Sequence, residues 1–198
     1  MIIFINNKDS FVWNLVDYVS RFEEETEVVS NTIEVEEVEE IYPSGIIISP
    51  GPGTPNNPKD IGNSIDVIRL CVKLCIPLLG VCLGAQTIAV AFVGIVSHSP
   101  EGPIHGRSSL VYHDGKTIFR NVRNPFEAGR YHSLAILKVP ETFEVSAYSN
   151  SIVMGIRSRK LPIEGVQFHP ESVLTPEGLK IIENFVRMCE NGRNNKDN

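Results

Sequence analysis

Short apolar runs alternate with helical periodicity over the first half of the chain. The runs are apolar or β-branched and predict strands at residues 2–5, 27–30, 45–49 and 78–81. The intervening segments repeat apolar residues every three or four positions and predict helices from Asp9 or Ser10 to residue 22, and at 35–40, 60–72 and 84–92. Strands that alternate with helices through short loops indicate a doubly wound α/β fold, with a mostly parallel central sheet and helices on both faces.

Beyond residue 95 the pattern changes to short segments of alternating polar and apolar residues. They predict antiparallel strands and hairpins that extend the sheet, at 109–112, 143–148, 152–156 and 163–168. A final helix is predicted at 175–189, with Pro176 in its first turn. We find no internal repeat and no linker, so we predict one domain over residues 1–190 and a polar tail at 191–198 that we expect to be disordered.

The composition is that of an ordinary globular protein. The chain has 198 residues, of which 42% are hydrophobic and 21% charged, enough for one domain with a real core. Its longest apolar stretch, at 81–96, is interrupted by Gly84, Gln86 and Gly94, so no segment approaches the roughly 18 residues that span a bilayer. The first five residues fit a buried strand and lack the basic region of a signal peptide. We therefore expect a cytoplasmic protein.

The charge argues against some partners. A net charge of −6 is unfavourable for a general nucleic-acid binder. Much of the acid lies at residues 23–40, and we interpret it as a solvated face, with a docking surface for a basic partner as the alternative.

Three of the four cysteines carry no motif. Cys71 and Cys75 are four residues apart in a helical pattern, so they share one face of the helix. No further Cys or His is spaced to complete a metal site with them, and we predict no metal, no disulfide framework, and a place for both in the core.

The fourth cysteine lies in the segment Gly-Val-Cys-Leu-Gly at 80–84. The segment follows an apolar strand and opens a helix, which is the context of a nucleophile elbow, with small residues two before and two after the nucleophile. There the sulfur of Cys82 projects from the carboxyl end of a strand, and the helix N-terminus favours a thiolate. The N–H of Leu83 is then free to bind an oxyanion. The alternative is a buried cysteine at a tight turn.

A second segment, Gly-Val-Gln-Phe-His-Pro-Glu-Ser at 165–172, ends a predicted strand in His-Pro-Glu. In an extended chain His169 and Glu171 point to the same side, and Pro170 disfavours helix at His169. His169 can then take the proton of Cys82 while Glu171 orients the imidazole. Alone, such a pair is more often a surface pair.

A third segment, Ser-Pro-Gly-Pro-Gly-Thr-Pro at 49–55, also follows a buried strand. Two glycines between prolines give a stiff loop whose backbone can approach a ligand closely and whose N–H groups can complete an oxyanion hole. As a bare pattern it is usually only a turn.

Six ordered segments together resemble the class I glutamine amidotransferases, and within them the small subunits of anthranilate synthase and aminodeoxychorismate synthase. Three are the segments above, with the cysteine segment extended to Gln86. The others are Asn-Asn-Lys-Asp-Ser-Phe-Val-Trp-Asn-Leu at 6–15, His-Gly-Arg at 105–107 and Arg-Tyr-His-Ser-Leu at 130–134. The resemblance spans nearly the whole chain, and six motifs in order are highly specific.

The resemblance implies a role for each site residue. Cys82 attacks the side-chain carboxamide of glutamine and forms a glutamyl thioester, with His169 as base and then acid, and Glu171 holding His169. The residues that bind glutamine or, through backbone N–H groups, the oxyanion are Gly51, Gly53, Leu83, Gln86, Ser133 and Leu134.

The resemblance also implies a partner. Water hydrolyses the thioester, and ammonia passes to a synthase subunit that binds chorismate. Nothing in this chain resembles a chorismate site, so we expect the acceptor chemistry on another polypeptide. No metal and no organic cofactor is implied. The motifs do not separate the anthranilate from the aminodeoxychorismate branch, and we favour the small subunit of anthranilate synthase.

The chain departs from the family at two positions. Ala85 stands where the related subunits usually have His, and Asn6 where Asp is common. That His is no triad member, so hydrolysis need not be lost, although Ala85 motivates a second hypothesis, a docking subunit that no longer catalyses. A third hypothesis is a thiol hydrolase of the γ-glutamyl class, which we would not expect to share the segments at 9–11 and 130–134.

Overall fold

The computed structural model describes residues 1–194, and its strands include all of the predicted ones. Their bounds are β1 (Ile2–Asn6), β2 (Thr26–Ser30), β3 (Gly45–Ile48), β4 (Leu78–Val81), β5 (Ile95–His98), β6 (Ile104–His113), β7 (Phe126–His132), β8 (Leu134–Lys138), β9 (Phe143–Ser149), β10 (Ile152–Ser158) and β11 (Ile163–Val166). Three of these, β5, β7 and β8, have no counterpart among the sequence predictions.

The helices also follow the predicted order. Their bounds are α1 (Val12–Val19), α2 (Val35–Ile41), α3 (Pro58–Ile61), α4 (Ser64–Leu74), α5 (Leu83–Ala91) and α6 (Gly178–Asn194), with a 3₁₀ turn at Thr117–Phe119. Within residues 1–194, no helix has both the length and the apolar character needed to cross a membrane.

One large sheet organises the part of the chain that the structure describes. Its strand order is β2-β1-β3-β4-β11-β10-β9-β6-β7, while β5 and β8 form a separate antiparallel pair. The five strands from β2 to β11 pair in parallel, and the strands from β10 to β7 continue the sheet in antiparallel fashion. This order confirms the predicted α/β fold with a parallel central sheet and an antiparallel extension.

Helices cover both faces of the parallel strands. Alternate side chains of a strand point to opposite faces, and in β1 the residues Ile2 and Phe4 join one apolar cluster while Ile3 and Ile5 join the other. The first cluster includes buried residues of α1 and α6, and the second includes buried residues of α2, α4 and α5. Each fully buried Ile or Leu side chain stabilises the fold by roughly 1.5–3 kcal/mol.

The predicted helix at 60–72 is two helices, α3 and α4, separated at Gly62. Gly62 has φ +52°, which favours glycine. A Cβ at this position would lie 2.2 Å from the carbonyl oxygen of Asn31, so the backbone of another segment occupies the space of a side chain. The apolar period continues through this break, which is why the sequence pattern does not reveal it.

The last helix begins later and extends further than predicted. Ser172, Thr175 and Gly178 each donate a backbone N–H to the carbonyl three residues earlier, and this series of turns delays the helix to Gly178. Helix α6 then runs past residue 189 to Asn194. The remainder of the predicted tail, residues 195–198, lies outside the described residues.

The cysteines other than Cys82 differ in burial. Cys71 and Cys189 are buried in the two apolar clusters, whereas Cys75 is exposed. Cys75 has φ +52° and ends α4, so the chain leaves the helix there and the side chain turns away from the core. The prediction that Cys75 packs in the core is therefore wrong, and none of the four cysteines forms a disulfide.

Candidate active site

The candidate residues meet at one edge of the parallel sheet. Segments 49–55, 80–86 and 165–172 each continue from the carboxyl end of a strand, β3, β4 and β11 respectively. These strands are neighbours, and Val81 of β4 pairs with Val166 of β11. Ligands bind outside the carboxyl ends of strands in open α/β sheets, and here the register brings two of the three segments side by side.

Cys82 lies in a tight turn between β4 and α5. Its backbone has φ +52° and ψ −102°, and its N–H donates to the carbonyl of Val166 at 2.8 Å. A Cβ on Gly80 would lie 2.5 Å from the carbonyl carbon of Gly84, and one on Gly84 would lie 2.2 Å from the carbonyl oxygen of Ile48. Both glycines are therefore required, and the surrounding backbone holds Cys82 in a conformation that costs about 1–3 kcal/mol.

His169 and Glu171 form a buried pair. The Nδ1 atom of His169 lies 2.6 Å from Oε1 of Glu171, and each residue is 3% exposed. The backbone of His169 donates to the carbonyl of Gly129 at 3.0 Å, and its own carbonyl accepts from Oγ1 of Thr175 at 2.6 Å. Edge-on ring contacts with Phe11 and Tyr131 restrict the imidazole further. The imidazole is thus fixed through its backbone, its Nδ1 atom and its ring contacts.

The surroundings of His169 favour its charged form. Burial alone would lower the pKa of the imidazole, but hydrogen bonds with Cys82 and Glu171 and the negative charges of both groups raise this pKa to about 10. His169 therefore carries a positive charge at neutral pH. A cation next to the sulfur and a helix N-terminus beneath it both favour a thiolate at Cys82.

A cavity of about 160 Å³ lies against the sulfur of Cys82. All six residues predicted to bind glutamine or the oxyanion line it. The lining residues are Gly51, Pro52, Gly53, Cys82, Leu83, Gln86, His105, Tyr131, His132, Ser133 and Leu134. His169 and Glu171 are not among them. Cys82 lines the cavity and also forms a hydrogen bond with His169, so the nucleophile lies between the cavity and the imidazole.

Buried amides hold the Pro-Gly loop at the cavity. The backbone N–H of Asn7 donates to Oγ of Ser49 at 2.9 Å, and its side-chain amide donates to the carbonyl of Ser49 at 3.0 Å. A Cβ on Gly51 would lie 2.5 Å from Cβ of Asn7 and 2.8 Å from a methyl group of Leu83. Glycine at residue 51 thus allows the loop backbone to approach the start of α5.

Comparison with known proteins identifies the family of this chain. The sequence profile of the class-I glutamine amidotransferases (GATase) matches residues 3–189. The chain belongs to the class-I glutamine amidotransferase family. The triad-like arrangement of Cys82, His169 and Glu171 is thus found in a chain of a family named for glutamine chemistry.

Individual relatives are similar over nearly their whole length. Anthranilate synthase component 2 of Thermococcus kodakarensis is 54% identical, covering 97% of this chain and 100% of the relative. Anthranilate synthase component 2 of Methanocaldococcus jannaschii is 48% identical, with coverage of 93% and 95%. The solved structure of a proposed GMP synthase component from Thermoplasma acidophilum superposes with a TM-score of 0.89 at 25% identity, covering 100% of this chain and 97% of that one.

Ala85, the departure from the usual amidotransferase motif, faces away from the cavity. Its side chain is fully buried, and a Cβ on Gly165 would lie 2.9 Å from the Cβ of Ala85. The residue at position 85 thus packs α5 against β11 and is absent from the cavity wall. The residue at this position therefore contributes to the packing behind the elbow and not to the lining of the cavity.

Gln167 is a site residue of this amidotransferase that the sequence analysis missed. Its side chain is 1% exposed, and its Nε2 atom lies 3.5 Å from the sulfur of Cys82. The sequence contains one signal that points to it, a polar residue directly after the apolar strand β11. That signal is weak because a Gln at the end of a strand is usually solvated.

A second group missed from the sequence supports the cavity wall. His132 is 4% exposed, and its Nδ1 atom lies 2.8 Å from the carbonyl oxygen of Leu134. Burial and the nearby charge of Arg130 lower the pKa of His132 to about 4, so the ring is neutral. Arg130 is itself buried and paired with Glu101 at 2.9 Å. This arrangement fixes the backbone around Ser133 from behind.

Proposed function

We propose that this chain is the glutaminase subunit of an anthranilate synthase, which hydrolyses L-glutamine at Cys82 and delivers ammonia to a chorismate-binding synthase subunit. The observation that carries the proposal is the arrangement of nucleophile, imidazolium and carboxylate beside a small cavity. Relatives at 54% and 48% identity that are called anthranilate synthase component 2 support the choice of pathway.

The first half-reaction forms a thioester. The Cys82 thiolate attacks the carboxamide carbon of glutamine, and the carbonyl π electrons move to oxygen. When the tetrahedral intermediate collapses, the C–N bond breaks and His169 donates its proton to the leaving nitrogen, so ammonia departs. The imidazole already holds the proton that the leaving group needs, because its neighbours raise its pKa in the resting enzyme. Attack by the sulfur removes one of these negative charges, which makes His169 a better acid at this step.

The second half-reaction releases glutamate. Neutral His169 now accepts a proton from a water molecule, whose oxygen attacks the thioester carbon. The C–S bond breaks, glutamate leaves, and the thiolate and imidazolium are restored. Glu171 keeps the imidazole in one orientation throughout and stabilises its positive charge.

Backbone N–H groups stabilise the oxyanion in both half-reactions. The N–H of Leu83 is the first of α5, where it has no partner within the helix. Gly51 and Gly53 line the same cavity, and their backbone N–H groups are the further donors in this proposal. Removing one such donor typically costs about 100-fold to 1,000-fold in kcat.

The glutamine itself occupies the cavity next to Cys82. Gln86, Ser133 and Leu134 line this space and offer an amide, a hydroxyl and backbone groups to the amino and carboxylate ends of the ligand. Chorismate chemistry and the acceptor site belong to the synthase subunit in this proposal. We also propose a cytoplasmic location, since all four cysteines are free thiols and the cytoplasm keeps thiols reduced.

The experiment is a glutaminase assay with a matched nucleophile variant. Glutamate release is measured for wild type and Cys82→Ser, alone and with component I subunits of anthranilate synthase and of aminodeoxychorismate synthase. We expect low activity alone, activation by the anthranilate synthase component, and none in Cys82→Ser. Activation only by the aminodeoxychorismate synthase component would transfer the chain to that branch. An inert wild type in every complex would contradict the catalytic role and favour a docking subunit.

A further inference from the structure

The side chain of Gln167 contacts the nucleophile directly. Its Nε2 atom lies 3.5 Å from the sulfur of Cys82, within hydrogen-bonding range for sulfur. Its backbone N–H is already used by the carbonyl of Met154 at 2.9 Å. Gln167 is 1% exposed, so water has little access to its amide. A buried amide needs partners at both ends, and the sulfur is one of them.

The neighbouring amide of Gln86 determines which end of Gln167 faces the sulfur. The Nε2 atom of Gln86 lies 3.0 Å from Oε1 of Gln167 and 3.2 Å from the carbonyl oxygen of Leu134. A carbonyl oxygen only accepts, so Gln86 must present its N–H groups there. If Gln167 were turned over, two NH₂ groups would face each other. The hydrogen-bond pattern therefore requires that Gln167 present an N–H to the sulfur.

A second hydrogen bond, from His132, fixes the carbonyl of Leu134 that accepts from Gln86. The Nε2 atom of His132 accepts from Nε of Arg130 at 3.1 Å, and a guanidinium only donates. The proton of His132 must then be on Nδ1, which donates to the carbonyl of Leu134 at 2.8 Å. Arg130 is held in turn by Glu101 at 2.9 Å. Fixed donors and acceptors thus extend from a buried guanidinium to the amide that orients Gln167.

We propose that Gln167 stabilises the thiolate of Cys82 by donating a hydrogen bond to the sulfur, as a second donor beside His169. A thiol sulfur is a weak acceptor, whereas a hydrogen bond to an ionised acceptor is roughly twice as strong as a neutral one. The donor therefore favours the ionised form of the nucleophile. The consequence for glutamine hydrolysis rests on the function proposed above, but ionisation of the sulfur can be measured without glutamine.

The test is the pH dependence of Cys82 alkylation by iodoacetamide in the full chain. The rate is followed by mass spectrometry on the peptide that contains Cys82, and exposed Cys75 serves as an internal reference. In Gln167→Met, which keeps the length of the side chain without the donor, the Cys82 inflection should rise by about one pH unit. Below the wild-type inflection, alkylation should then be about ten times slower. The control is Glu164→Gln, a buried position of β11, the strand that precedes Gln167, and it should leave the inflection unchanged.

Three results would test this proposal and separate it from the proposed function. An inflection that coincides with wild type in folded Gln167→Met would overturn the proposal. If Gln167→Met does not fold, Gln167→Leu provides the same test, because it also lacks the donor and adds no charge beside the sulfur: a raised inflection supports the proposal and an unchanged one overturns it. If wild type reacts with iodoacetamide as expected but never hydrolyses glutamine, the proposed function is wrong and the role of Gln167 at the sulfur is unaffected.

Discussion

Replacement of Glu171 by Gln tests how much the buried carboxylate contributes. The side chains have the same shape, so the amide oxygen can still accept from Nδ1 of His169, but the negative charge is lost. The wild-type contact is 2.6 Å long and both residues are 3% exposed, so water screens it little. A hydrogen bond to a charged group contributes about 1.5–3 kcal/mol and a neutral one about 0.5–1.5 kcal/mol, so loss of the charge should cost about 1–1.5 kcal/mol and lower kcat/KM about 5-fold to 13-fold.

The assay follows glutamate release over a range of pH by the complex with the synthase subunit. Because Glu171 helps to raise the pKa of His169 to about 10, the variant should also lose activity at a lower pH on the alkaline side than wild type. Glu164→Gln, a second buried carboxylate at the other end of β11, is the control and should stay near wild-type activity. Activity of folded Glu171→Gln within about threefold of wild type at every pH would contradict this prediction, because the charge of Glu171 would then contribute less than the expected energy.

Two further predictions concern the elbow and the imidazole. Gly84→Ala should destabilise the fold by about 1–3 kcal/mol and lower the Tm in calorimetry, since its Cβ would lie 2.2 Å from the carbonyl oxygen of Ile48. The control is Gly192→Ala, where the nearest atom to the added Cβ is 3.4 Å away. An unchanged Tm for Gly84→Ala would contradict the packing described. Cys82→Ala should lower the pH at which His169 titrates in NMR, because the sulfur helps to raise this pKa from 6.5 to about 10. An equal titration pH in both proteins would show that the imidazole and the sulfur do not interact. The raised pKa of His169 also stabilises the fold, fully below pH 6.5, and this contribution is lost as the pH rises through 10.

The parallel half of the fold follows from local patterns in the sequence. Strands β3 and β4, and β1 up to Ile5, are apolar because helices cover both faces of the sheet, and buried strands of this kind are visible in the sequence as continuous apolar runs. The antiparallel half is less legible. Strand β7 contains buried Arg130, whose charge is paired with Glu101 from another segment. Because a charged residue is expected at the surface, the apolar pattern does not predict this strand.

The sequence predicted the motifs and the joint role of Cys82, His169 and Glu171, but not the contacts that the fold adds around them. The elbow at Cys82 depends on local chain geometry, and Gly80 and Gly84 make it predictable from the sequence. Its contact with Gln167 depends on β4 and β11 being neighbours, with Val81 beside Val166, although the two contacting side chains are 85 residues apart. No local pattern states which strands are adjacent, so the partner of the sulfur could be found only from the fold.

Labelled glutamine shows whether Cys82 carries the substrate as a thioester. The complex with the synthase subunit is incubated with glutamine labelled in its carbon chain, quenched in acid during turnover, and digested for mass spectrometry. We expect label on the peptide that contains Cys82, which hydroxylamine removes and which is missing from Cys82→Ser. A complex that turns over glutamine at its full rate while label is found on another residue, or while Cys82→Ser remains equally active, would contradict the account.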